Sequence, residues 1–178
     1  ACPVLGKALF TGMTYGRKAS QREGLYCFDA QTGSVTTLIE EGGYRRIKEP
    51  RFVSGTIVFA ATDGLWYGKN ESLNFYTLNP DTGAVTLLAK LDDPLGSSVG
   101  SDCRLSSGSA IKVDATSLYF TMMRGWTTPL YQLDLKGNLR QVLDFNGSID
   151  DFDVTGQTVR FIGQRAHRLQ EIEQAQLP

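Results

Sequence analysis

Cysteine is scarce in this chain. Cys2, Cys27 and Cys103 are its only three cysteines among 178 residues, widely spaced and without a CxxC pair. An odd, scattered set argues against both a disulfide framework and a paired-cysteine metal site. This usage is typical of a reduced cytoplasmic protein, in which Cys27 serves as a small apolar group on a strand. We therefore expect a cytoplasmic location.

Long apolar runs and an excess of either charge are also missing. The formal net charge is −1 and the basic residues are scattered, so there is no electrostatic footprint for nucleic acid. No apolar run reaches the length of a membrane helix, and no charged–apolar–small signal segment opens the sequence. We expect neither a nucleic-acid nor a membrane partner.

Motifs for cofactors and metals are absent as well. The sequence has no Walker loop, GxGxxG or HExxH pattern. Its single histidine, His167, is predicted to face solvent in the RAHRLQ loop. The acidic residues Asp150, Asp151 and Asp153 lack the Gly-kinked loop of a calcium site, so polar strand faces and turn caps are expected. The sequence predicts no cofactor and no metal.

Glycine, in contrast, is abundant at 19 residues, and a strand pattern recurs. LYCFDAQTGSVTTL begins at Leu25, FYTLNPDTGAVTLL at Phe75 and LYQLDLKGNLRQV at Leu130. A period of roughly fifty residues built from strand patterns is typical of a β-propeller or another stacked β array.

Each copy is predicted to be a β-hairpin. A Gly closes each turn, where φ > 0 is expected, and an Asp or Asn before it can bond the turn backbone. The glycines are Gly33, Gly83 and Gly137, and the polar residues are Asp29, Asn79 and Asp134.

Two further kinds of segment complete a four-stranded blade template. Apolar second strands are predicted at Lys7, Thr56, Ser117 and Thr158, and inner strands at RIKEPRFV from Arg46, SDCRL from Ser101 and IDDFDV from Ile149. The fold class is therefore all-β, a partial β-propeller with two complete four-stranded blades flanked by two incomplete ones. The predicted blades of this single segment cover residues 1–43, 44–95, 96–147 and 148–178.

Three passages resemble a known family. LGSSVGSDCRLSSGSAIK from Leu95, LYFTMMRGWTTPLYQLDLKG and FNGSIDDFDVTGQTVRFIGQ are similar to the propeller of prolyl oligopeptidase family serine peptidases, of the acylaminoacyl-peptidase-like branch. In that family the propeller precedes an α/β-hydrolase domain and restricts which substrates reach the serine. The resemblance implies a noncatalytic segment that gates and orients short peptides for a hydrolase domain outside this sequence. The chain departs from the pattern at Glu173, which stands where Tyr131 stands one blade earlier.

No catalytic residue is predicted. Gly96–Gly100 is a formal GxSxG motif, but Asp-Asp-Pro precedes it and poor helix material follows, so Ser98 is assigned to a connector. Asp102 and Arg104 share one face of the predicted inner strand. They either form an ion pair that holds neighbouring blades in register or contact a peptide.

Arg124 and Trp126 are the other candidate contact residues. They fall in the loop between the second and third strands of one blade. An exposed cation and aromatic there could anchor a substrate or a partner, and the alternative is that Trp126 packs over a blade edge.

Two other interpretations stay open. The chain could be a TolB-like protein-interaction propeller with no associated enzyme, or two copies could assemble into one ring. The incomplete end blades also predict a homo-oligomer, with contacts concentrated at residues 1–14 and 149–178.

Overall fold

The computed structural model describes residues 6–18, 20–96, 105 and 111–178. The chain divides into two compact units, residues 1–90 and 91–178, and each contains two antiparallel sheets. Apart from one 3-10 turn at Gly68–Asn70, the regular elements of the described ranges are strands. None of the described residues belongs to a helix long and apolar enough to cross a membrane.

The first unit holds a three-stranded and a four-stranded sheet, here called sheets A and B. In both, strands that follow one another in sequence pair antiparallel, so each sheet is a meander. The strands of sheet A are β1 (Lys7–Gly12), β2 (Glu23–Asp29) and β3 (Ser34–Tyr44); those of sheet B are β4 (Arg46–Val53), β5 (Thr56–Thr62), β6 (Asn74–Leu78) and β7 (Val85–Ala89).

The second unit holds a four-stranded and a three-stranded sheet, sheets C and D. These are meanders as well. The strands of sheet C are β8 (Ile111–Val113), β9 (Ser117–Thr121), β10 (Leu130–Asp134) and β11 (Leu139–Leu143); those of sheet D are β12 (Ser148–Thr155), β13 (Thr158–Gln164) and β14 (Glu171–Gln176).

This order of three, four, four and three strands confirms the predicted sequence of two complete sheets flanked by two incomplete ones. Beside β9 lies Ile111–Val113, a strand that the blade template did not assign. The SDCRL segment predicted there from Ser101 lies outside the described residues apart from Leu105. Ile111 is fully buried and alternates with partly exposed Lys112, which is a strand signal.

The hairpin turns form as predicted. Asp29 Oδ1 accepts hydrogen bonds from the backbone N–H groups of Gln31 and Thr32 at 2.8 and 3.2 Å. Asn79 Oδ1 does the same in the second hairpin, and Asp134 Oδ1 in the third. The closing glycines have φ values of 69°, 71° and 88°, which a Cβ would oppose. They are Gly33, Gly83 and Gly137.

The second strands of sheets B and C are more completely buried than the corresponding strand of sheet D. Every residue of β9, and every residue of β5 after its first, is buried, as expected of strands covered on both faces. In β13, buried Val159 and Phe161 alternate with exposed Arg160 and partly exposed Ile162. Sheet D is therefore covered on one face and more exposed on the other.

An apolar core lies between the two sheets of each unit. In the first unit, Leu25 of sheet A packs with Ile47, Ile57 and Phe59 of sheet B. In the second unit, the core draws on sheets C and D and the loop between them. Its buried members are Tyr119, Leu130, Val142, Phe145, Ile149, Phe152, Val159, Phe161 and Leu177.

Ring pairs between second and third strands recur in three sheets. Phe10 stacks on Tyr26, Phe59 on Tyr76 and Phe120 on Tyr131, with ring centroids 5.4, 5.6 and 6.2 Å apart. In sheet D the partner of Phe161 is Glu173, since these two residues are directly opposite across β13 and β14. Glu173 therefore stands where Tyr131 stands in sheet C, as expected.

Candidate functional site

Two of the four predicted contact residues lie in the described part of the molecule. Asp102 and Arg104, and Ser98 of the GxSxG motif, lie outside the described residues. Arg124 and Trp126 lie in the loop between β9 and β10, and both are exposed. The loop that carries Arg124 and Trp126 contributes to a concave surface of the second unit.

A buried threonine fastens this loop to the neighbouring sheet. The Thr128 N–H donates to the carbonyl of Gly147 at 2.9 Å, and Thr128 Oγ1 accepts a 2.6 Å bond from the Ile149 N–H. The same hydroxyl donates to Ser148 Oγ at 3.1 Å. Because Thr128 is fully buried, these bonds hold the β9–β10 loop against the start of β12.

A concavity of about 480 Å³ lies beside this junction. The β9–β10 loop and the β13–β14 loop supply its walls, and the ends of β12 and β13 supply its floor. Trp126 is 67% exposed on one wall and Leu169 is 71% exposed on the other. The lining residues are Trp126, Gly147, Ser148, Gln164, Arg165, Ala166, His167, Arg168 and Leu169. We call this surface the loop concavity.

The floor leaves no room for a side chain at Gly147. A Cβ there would collide with the backbone carbonyl oxygen of Gln164 and with the ring of Phe145. Beside it, the side-chain Oε1 of Gln164 is buried and has no hydrogen-bond partner among the described residues. An unpaired buried acceptor is rare in folded proteins and calls for a physical explanation.

The arginine on the floor is already engaged. Arg165 makes a two-pronged pair with Glu173, with Nη2 to Oε2 at 2.7 Å, and its guanidinium lies 4.3 Å from the centroid of the Phe145 ring. Hydrogen bonding to Glu173 raises the pKa of Arg165. Glu173 thus takes the place of the missing tyrosine and ties the β13–β14 loop to β14.

Two other titratable residues considered in the sequence, His167 and Asp150, face solvent and have structural partners, respectively. His167 is exposed, as predicted, in a turn where its φ is 66°. Asp150 accepts hydrogen bonds from Ser148 Oγ and Gln170 Nε2, both at 2.5 Å. Across the described ranges, no group of three His, Cys, Asp or Glu side chains is placed to hold a metal ion.

Cys27 is a free thiol and is half-buried on β2. Burial raises the pKa of its thiol, which favours the unreactive protonated form.

Sequence reasoning missed most of the loop concavity. It selected Trp126 but passed over Gln164, Arg165 and Leu169. A polar Gln at the end of an apolar strand carries no signal in the sequence, because the burial of its side-chain oxygen depends on the folded chain. The Arg165–Glu173 pair had one available signal, the break in the tyrosine pattern at Glu173.

No protein-family model matches the chain, and no curated protein matches it in sequence. Solved structures do match. Acylaminoacyl peptidase from Pyrococcus horikoshii is similar with a TM-score of 0.67 and 16% identity, over 97% of this chain. The β-propeller domain of the Trilobed protease from Pyrococcus furiosus gives 0.66 and 17% over 96%. TolB from Acinetobacter baumannii gives 0.64 and 15% over 98%.

The chain has a β-propeller fold. It spans only 26%, 51% and 39% of those three structures, respectively. The expected likeness to peptidase propellers is confirmed at the level of structure, and TolB shares it. At such identities the similarity establishes the fold alone, because one fold serves many functions.

Proposed function

We propose that this chain is a noncatalytic β-propeller segment that gates and orients short peptides for an α/β-hydrolase serine peptidase domain of the same polypeptide. The observation that supports this proposal is the structural similarity to the propeller-bearing peptidases, combined with the resemblance of the three sequence passages. Two features agree with a noncatalytic role: His167 lies in an exposed turn, and Asp150 is bonded to Ser148 and Gln170.

Physically, the propeller acts by exclusion and by contact. A narrow opening admits short peptides and rejects folded proteins by size, and the propeller surface contributes part of the substrate cleft. In this proposal Asp102 and Arg104 line the peptide path, and Arg124 and Trp126 contact the substrate or the hydrolase domain from the β9–β10 loop. We place the protein in the cytoplasm, consistent with the free thiol of Cys27.

The sequence that follows Pro178 in the parent gene tests this proposal directly. We expect a hydrolase domain with a strand, a GxSxG turn and a helix in succession. A stop codon there, or an unrelated domain, would refute the proposal.

The isolated chain itself should not hydrolyse peptide or ester substrates, since no credible nucleophile and base pair exists in its sequence. We expect no labelling by a fluorophosphonate probe. Labelling that is lost in Ser98→Ala would overturn the assignment of the GxSxG motif to a connector.

The similarity to TolB supports a second candidate, a protein-interaction propeller without an associated enzyme. It predicts a periplasmic signal or a different domain in the parent gene, with partners bound at the loops.

A further inference from the structure

We propose that the loop concavity binds an uncharged, extended peptide segment. A bulky apolar side chain of the peptide lies between Trp126 and Leu169, and a peptide N–H donates to Gln164 Oε1. This inference deepens the proposed function, on which it rests, because it assigns the peptide contact to particular residues of the propeller.

The unpaired side-chain oxygen of Gln164 indicates a ligand with a hydrogen-bond donor. Gln164 lines the concavity, and its side-chain Oε1 is buried and has no partner in the described part of the chain. A ligand N–H reaches this oxygen when the Gln164 amide turns towards the concavity. A buried acceptor that lacks a donor in the free protein gains a hydrogen bond when a ligand brings one. The amide N–H of a peptide is such a donor, and its neutral charge matches the neutral oxygen.

The apolar side chains on the two walls indicate that the ligand has an apolar side chain. Trp126 and Leu169 are both largely exposed, and both line the concavity from two separate loops. Large exposed aromatics on anchored loops are the residue type that contributes most at binding surfaces. Thr128 anchors the tryptophan loop, so the wall is in place before a ligand arrives.

The charged side chains of the concavity favour a neutral ligand. Arg165 is paired with Glu173, and Arg168 Nη1 lies 3.8 Å from Glu171 Oε2. Both arginines of the concavity therefore already have carboxylate partners. A charged ligand would have to compete with these pairs, and an amide with an apolar side chain would not.

The test uses the 178-residue chain carrying Trp66→Phe, which leaves Trp126 as the sole tryptophan. The probe is N-acetyl-L-phenylalaninamide, titrated while Trp126 emission is recorded. We expect a saturable change in emission, and no saturation with N-acetylglycinamide, which lacks the side chain. N-acetyl-N-methyl-L-phenylalanine dimethylamide keeps the side chain but has no N–H, and should bind about fivefold to tenfold more weakly, the range of one neutral hydrogen bond.

Gln164→Leu should weaken binding of the amide probe by the same factor without lowering Tm, because it removes an acceptor that is unpaired in the free chain. Gln174→Leu, at an exposed position of β14, is the matched control and should leave affinity unchanged. Absence of saturation would overturn the proposal. So would equal binding of the donor-free probe, unchanged binding by Gln164→Leu, or a lower Tm in that variant, which would reveal an internal or water partner of the oxygen.

This binding assay is independent of any hydrolase. Probe binding in the absence of a hydrolase sequence in the parent gene would refute the proposed function but support the binding site. A hydrolase sequence in the gene without probe binding would support the proposed function but refute the binding site.

Discussion

The deeply buried phenylalanines are the clearest determinants of stability at the residue scale. Phe59 on β5 and Phe120 on β9 are both fully buried, and each stacks on a tyrosine of the next strand. We expect Phe59→Ala and Phe120→Ala each to lower the free energy of unfolding by about 3–5 kcal/mol, because each leaves a cavity. Chemical denaturation measures this difference.

Trp66→Ala serves as the control, since this side chain is largely exposed. Its effect should stay within about 0.5 kcal/mol. Losses below about 1 kcal/mol at both phenylalanines would contradict their assignment to covered second strands.

Glu41 provides a pH-dependent contribution. Thr14 Oγ1 and the Tyr26 hydroxyl donate to Glu41 Oε1 at 2.5 and 3.2 Å, and the Thr14 bond is the main cause that lowers the pKa of Glu41 to about 2. An unfolded glutamate has a pKa of about 4.3. Because the folded pKa is the lower one, this stabilisation is complete above about pH 4.3 and is lost as the pH falls towards 2.

Glu41→Gln should therefore lower Tm at neutral pH, and the Tm difference from the native chain should shrink as the pH falls below about 4.3. Thermal unfolding followed by circular dichroism measures both values. Glu40→Gln, a change of the exposed neighbouring carboxylate, should show no such trend. A difference that is constant across this pH window would exclude the charged form of Glu41 as the source.

At the element scale, sheet D replaces a ring pair with an ion pair. In sheets A, B and C a tyrosine of the third strand stacks on the phenylalanine of the second. In sheet D, Glu173 binds Arg165, which covers the ring of Phe145. The carboxylate of Glu173 keeps partial contact with water, since its side chain is 24% exposed.

A double-mutant cycle of Arg165→Met and Glu173→Gln should give a stabilising coupling. The coupling should decrease between low and high salt, since both side chains are partly exposed. Unfolding free energies of the four proteins, measured at both ionic strengths, provide the value. A coupling of zero at low salt would mean that Glu173 only fills space.

At the scale of the whole molecule, the two end sheets expose different surfaces. On sheet A, the face turned away from sheet B carries Phe10, Phe28 and Val35, exposed by 42%, 37% and 57%. On sheet D, the face turned away from sheet C carries mainly polar side chains, with one largely exposed apolar residue, Ile172. The polar or partly exposed residues of this face are Asp151, Asp153, Arg160, Ile162 and Gln174.

We therefore expect concentration-dependent self-association through sheet A, which revises the predicted symmetric use of both chain ends. Val35→Lys should shift the association to at least about tenfold higher protein concentration, because it places a charge in the apolar face. Sedimentation velocity over a concentration series measures the shift. Ile172→Lys, on the polar face of sheet D, is the matched control and should have little effect.

A particle that sediments as a monomer at all concentrations would contradict this prediction. Equal effects of the two lysine variants would contradict the proposed difference between the two sheets.

Much of the architecture could be predicted from sequence because its determinants are local. The Asp-to-Gly turns, the strand alternation around Tyr26 and Tyr131 and the departure at Glu173 depend on residues within a few positions of one another or on a repeat spacing. These features specified hairpins, and the hairpins specified an array of three- and four-stranded sheets.

The inner strand of sheet C, the exposed faces and the loop concavity were decided only by the tertiary structure. Ile111–Val113 becomes a strand because β9 offers it a partner, although the blade template places a strand elsewhere. The Thr128 anchor joins residues about twenty positions apart, and Gly147 meets the backbone oxygen of Gln164 across a similar separation. Such contacts depend on how sheets pack against each other, and local sequence patterns do not encode that packing.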